Sequence, residues 1–135
     1  MERDTLLKAQ MHTKRMYLLL TEVRDLSRQL AEALDRNDQV TVRMLISLRS
    51  EPVNKLTETK AMLEDLKKGL PLSDAVRLLE LLNGASPATE DESILATQVS
   101  SNQRLLEQVL ALDKGLNLKI ARDKSIYQQN RTSAR

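Results

Sequence analysis

The sequence contains no cysteine, no tryptophan and no phenylalanine, and Tyr17 and Tyr127 are its only tyrosines. Without cysteine there are no disulfides and no thiolate metal sites. A β-sandwich or barrel fills its core with aromatic and β-branched side chains, and the first kind is almost missing here. Three glycines and three prolines leave little punctuation, so the elements are expected to be few and long. The start, Met1-Glu2-Arg3-Asp4, is charged and no apolar leader core follows it. The longest apolar run nearby, Met16 to Leu20, falls far short of the roughly 18 residues that span a bilayer. These features read as a cytoplasmic chain with no membrane insertion.

What is abundant is Leu, Ala, Met, Glu, Lys, Arg and Gln, the good helix formers. With 135 residues, 30% charged and 41% hydrophobic, the chain has room for one globular domain of ordinary size. Its net charge of +2 is unevenly placed. From Lys119 onward the segment carries +4, which leaves −2 on the rest. The body is mildly acidic and the tail basic.

Leu19, Val23, Leu26, Leu30 and Ala33 recur at spacings of four and three, predicting a helix from about Arg3 to Leu34, on the order of 45 Å long. Asp35-Arg36-Asn37-Asp38 breaks the stripe, and Asp38 suits the N-cap of a second helix, Gln39 to Lys68. In that helix Val42, Leu45, Leu56, Leu63 and Leu66 share a face, and Pro52 predicts either a kink or a fresh start capped by Ser50. Lys67-Lys68-Gly69 makes a good helix end. Ser73 is expected to cap a short helix, Asp74 to Leu82, which Asn83-Gly84 terminates. Thr89 and Glu92 form a capping-box pattern opening a further long helix. Leu95, Val99, Asn102, Leu106, Val109, Leu112, Leu116 and Ile120 line it, and Gly115 weakens it only locally. After Asp123 the composition turns polar. The expected fold is therefore all-α: an elongated antiparallel bundle of three long helices and one short one over residues 1–122, with a flexible basic tail over 123–135.

Catalytic chemistry finds little support. His12 is the only histidine, with no metal-ligand spacing and no triad partner, and no two glycines lie close enough for a phosphate loop. Glu90-Asp91-Glu92 could hold a cation, but acids in a first helical turn are explained by the helix dipole. No enzyme motif and no cofactor is expected. Asn102, inside an apolar stripe, reads either as a register-setting polar residue or as a hydrogen-bond partner for a bound helix. The surface carrying Leu105, Leu106, Val109, Leu110 and Leu112 is wide, fitting either a helix packed between two neighbours or a groove that receives an amphipathic helix. Ile126-Tyr127 either folds back onto the body or docks a second partner. The basic tail is too sparse in charge and aromatics to argue for nucleic acid.

Taken in order, Ala33-Leu34-Asp35-Arg36-Asn37-Asp38, Leu78-Leu79-Glu80-Leu81-Leu82-Asn83, Asn102-Gln103-Arg104-Leu105-Leu106, Leu116-Asn117 and a basic tail with Ile126-Tyr127 resemble the flagellar export chaperones of the FlgN type, which share an architecture with the FliT type. The resemblance spans nearly the whole chain and is strongest from Glu90 to Tyr127. It implies a cytoplasmic chaperone for hook-filament junction (hook-associated) proteins awaiting type III export. It also implies cargo contact through Asn102, Leu105, Leu106, Val109 and Leu112, and docking to the cytoplasmic domain of the export gate through Ile126 and Tyr127. The rival reading is a helical adaptor or self-associating coiled coil without cargo, and homodimer formation stays open.

Overall fold

The computed structural model describes the backbone of residues 1–133 and the side chains of residues 1–122. The chain is all-α: α1 (Arg3–Asp35), α2 (Gln39–Lys68), α3 (Leu72–Leu82) and α4 (Glu90–Ser133), with no strand among the described residues. No described helix is long and apolar enough to cross a membrane.

Local chemistry sets the turns. Asn37 adopts a left-handed φ of 56°, and the N–H groups of Asn37 and Asp38 donate to the carbonyls of Leu34 and Ala33, closing α1. Asparagine tolerates that conformation better than most residues with a Cβ. Asp38 then caps α2, accepting from the Thr41 N–H at 3.2 Å and the Thr41 hydroxyl at 2.6 Å. Those two bonds hold its carboxyl below the ordinary range. At the end of α3 the same device recurs with Gly84 at φ 99°, the Gly84 and Ala85 N–H groups donating to Leu81 and Glu80.

Two expectations are corrected and one open choice is decided. Of the two outcomes expected at Pro52 the fresh start is excluded: α2 is one helix through it, and the Ser50 hydroxyl donates to the Ser47 carbonyl instead of capping a new helix. Pro52 is buried, so packing offsets the hydrogen bond its ring cannot donate. The short helix begins at Leu72, with Pro71 at the N-cap position, which leaves Ser73 inside the first turn. Finally, α4 continues as helix to Ser133 instead of ending near Asp123. No glycine or proline follows Gly115 to stop it.

α1 packs against both α2 and α4, while the backbones of α2 and α4 stay apart and α3 touches each of them. α2 runs antiparallel to α1. α4 runs in the same sense as α1, since Gln10 lies by Asp91 near their starts and Asp35 by Lys119 further along. Successive long helices thus alternate in sense, α1 with α2 and α2 with α4. The short α3 links the end of α2 to the start of α4, which lies beside the beginning of α1.

The core divides into three layers along this axis. The first joins Leu6 and Ala9 of α1, Leu63 of α2, Leu78 and Leu81 of α3, and Leu95 and Val99 of α4. The second joins Leu20 and Val23 to Leu105 and Val109, with Val53 and Leu56 of α2 packed on it. The third joins Leu30, Ala33, Val42, Leu45 and Leu116. Each fully buried leucine contributes about 1.5–3 kcal/mol.

Candidate partner-binding surface

Polar residues standing in core positions separate the apolar layers. Between the first and second, the Asn102 side-chain amide donates to the Thr13 carbonyl at 2.8 Å and its oxygen accepts from Gln98 at 2.9 Å. Between the second and third, Arg49 of α2 donates to the Ser27 hydroxyl of α1 at 3.0 Å and to the Asp113 carboxylate of α4 at 2.5 Å. Among the described residues no buried side-chain nitrogen or oxygen lacks a partner. Both contacts tie different helices together at fixed heights, which sets register, because a one-turn slip would leave these groups unpaired.

The five expected cargo residues do not form one open face. Leu105 and Val109 are 4% and 5% exposed and lie in the second core layer. Asn102 is half-buried and spends its hydrogen bonds inside the chain. Leu112 is half-buried, and Leu106 is open to solvent at 43%. The reason is helical phase: along α4 the buried positions run Val99, Leu105, Val109 and Leu116, so the core takes Leu105 and turns Leu106 aside. The side chains of Ile126 and Tyr127 lie outside the described residues.

Leu106 does not stand alone. Leu106, Leu110 and Asp113 follow each other at spacings of four and three, so they share one flank of α4. Asp113 reaches Arg49, which identifies that flank as the one turned toward α2. On α2, Ile46, Arg49 and Val53 are spaced in the same way. Ile46 and Leu110 are 50% and 58% exposed, and Val53 is half-buried. The seam between the two helices, bridged by the Arg49–Asp113 ion pair, thus carries exposed aliphatic side chains on both sides.

Two further apolar stripes face outward: Leu7, Met11 and Leu18 on α1, and Leu72, Val76 and Leu79 on α3. A polar cleft of about 360 Å³ lies between the α3–α4 loop and α4, lined among others by Ser86, Ser93, Thr97, Ser100 and Arg104. The loop beside it is fixed by a clamp: Arg77 binds Glu92 at 2.6 Å, Glu80 at 3.3 Å and the Ser86 carbonyl at 2.9 Å. Glu92 also accepts from the Ala88 N–H at 3.0 Å, and its own N–H donates to the Thr89 hydroxyl at 3.1 Å. Half of the expected capping box therefore forms, while the Glu92 carboxylate turns to Ala88 and Arg77. The hydrogen bond from Arg77, then that from Ala88, holds Glu92 below its ordinary pKa, and the Glu92 bond raises that of Arg77. Engaged in this way, Glu92 is not a free cation ligand, and no group of His, Cys, Asp and Glu suited to a metal occurs among the described residues.

Sequence reasoning passed over Arg49, Ser27 and Asp113. The signal was present: Ser27 stands between Val23 and Leu30, Arg49 follows Leu45 by four, and Asp113 follows Val109 by four. Each is a polar residue in the core slot of its own helix. Compared with models of known families, with curated proteins and with solved structures, the chain matches none.

Proposed function

We propose that this protein is a cytoplasmic binding protein, not an enzyme, that sheathes an amphipathic helix of a partner, as a flagellar export chaperone of the FlgN type does for hook-associated proteins. The observation that carries this reading is the aliphatic flank of α4, where Leu106 and Leu110 stand 43% and 58% exposed beside the Arg49–Asp113 contact to α2. Aliphatic side chains without aromatic anchors suit a helix held reversibly, since the strongest interface anchors are Trp, Tyr and Arg. On this reading the elongated helical bundle is the scaffold, Leu106 and Leu110 meet cargo directly, and Leu105, Val109, Leu112 and Asn102 support that flank from behind. On the same reading Ile126 and Tyr127 dock to the export gate.

The test is light scattering coupled to size-exclusion chromatography, with the purified chain alone and mixed with the hook-filament junction proteins of its host. A complex that depends on the C-terminal segment of one of them, and disappears in a Leu106→Glu/Leu110→Glu variant, is the expected result. A chain that binds none of them and is already a tight oligomer would replace this reading with that of a self-associating adaptor.

A further inference from the structure

The α2 helix is fastened at both ends. At one end the short turn through Asn37 and the Val42–Leu45 packing hold it to α1; at the other, Leu63 sits in the first core layer with α3. Its middle is held differently. There α2 buries Pro52 but adds to the second layer only the partly buried Val53 and Leu56, whose α1 and α4 neighbours are buried. Among the described residues the Arg49–Asp113 pair is the one hydrogen bond or ion pair joining α2 to α4, and its side chains remain 24% and 35% exposed. Pro52 lies within one turn of Arg49, and a helix that lacks an interior N–H bends most easily at that point.

We propose that Arg49–Asp113 is a latch. While it is closed, α2 covers Leu105 and Val109. When it is released, the middle of α2 swings off α4 about Pro52 while staying on α1, and uncovers the Leu105 and Val109 edge of the second layer. This rests on that flank of α4 being the binding site and supplies its regulation: the partner's helix meets a narrow aliphatic strip when the latch is shut and a wider one when it is open. Two features make the pair suitable. It is exposed enough for salt or an incoming charged side chain to compete for it. Arg49 also keeps its Ser27 bond after release, so opening does not strand the guanidinium.

The cysteine-free sequence permits a direct assay on the full chain without any partner. Single thiols are introduced as Val109→Cys beneath the latch, and as Val99→Cys and Val42→Cys in the outer layers, and their labelling rates with a maleimide are measured. Adding Asp113→Asn is expected to speed labelling of the Val109→Cys thiol by about tenfold or more, the scale of one charge-assisted hydrogen bond, with the two outer thiols unchanged. Raising the salt concentration should act in the same direction on the otherwise unaltered chain. An Arg49→Met/Asp113→Leu pair, apolar on both sides, should return the rate to its starting value or below. Equal acceleration at all three thiols would mean that the pair merely supports the whole fold, and no acceleration at any would mean that it holds nothing shut; either result overturns the latch. If the single variant does not fold, the salt series and the apolar pair decide the matter alone. The assay uses no cargo, so it can fail while the complex forms, or succeed where no complex is found.

Discussion

Leu105 and Leu106 are chemically identical neighbours that the structure separates, so substituting glutamate at each gives a sharp test of the helical phase. Leu105 is 4% exposed and packs against Leu20 and Val23. Glutamate there gives up nearly all of a buried leucine's contribution, about 1.5–3 kcal/mol, and must also bury or neutralise a carboxylate at a cost of several kcal/mol. The sum, about 4 kcal/mol or more, consumes most of the 5–15 kcal/mol that ordinarily holds a domain together. Leu106 is 43% exposed, so glutamate there loses about 1 kcal/mol of burial while its carboxylate stays in water. Urea denaturation followed by circular dichroism reads both. Leu105→Glu is expected to shift the midpoint steeply downward or abolish the folded state, and Leu106→Glu to leave a cooperative transition only slightly earlier. In the binding assay the order reverses in meaning, because only Leu106→Glu loses partner binding while folded. Equal destabilisation by the two, or a well-folded Leu105→Glu chain, would refute the assignment of Leu105 to the core and Leu106 to the exposed flank.

The remaining predictions concern the polar contacts. The Arg77 and Ala88 hydrogen bonds hold the folded pKa of Glu92 below its reference 4.5, so the stability they add is present above that value and is lost as pH falls through the folded pKa. Thermal melting is therefore expected to drop on the acid side, and Glu92→Gln to lower the melting temperature at neutral pH while flattening that acid limb. Asn102→Leu is expected to cost about 1–3 kcal/mol, because it leaves the Thr13 carbonyl and the Gln98 amide without the partner that Asn102 gave them. Asn102→Asp sets a carboxylate against the Thr13 carbonyl at the present 2.8 Å contact, and is expected to cost about 2 kcal/mol at pH 7 and to recover on acidification. Denaturation of both variants at two pH values checks this.

Composition and period were enough for the helices themselves. The bounds of α2 follow from Asp38 and Thr41 at one end and Lys67-Lys68-Gly69 at the other, all local chemistry acting within a turn. The start of α4 is equally local, since Thr89 caps it. Local rules failed at two places: a proline was absorbed within α2, where its ring is buried, and α4 ran on to Ser133 where polarity alone suggested an end. The candidate site was half legible. Its wide α4 stripe is written in the sequence, but a helix carrying Leu105, Leu106, Val109 and Leu110 has apolar residues over too much of its circumference for period alone to say which of them face inward. Only the positions of α1 and α2 decide that. α1 lies close to α4 and, with Val53 and Leu56 of α2, claims Leu105 and Val109, while Leu106 and Leu110 stay uncovered. The same holds for Arg49, Ser27 and Asp113: the sequence shows three polar residues in apolar stripes, 22 and 64 positions apart along the chain. That they meet is a property of how three helices are stacked, because charge pairing across such separations is set by the packing that brings the groups together and by nothing in their local sequence.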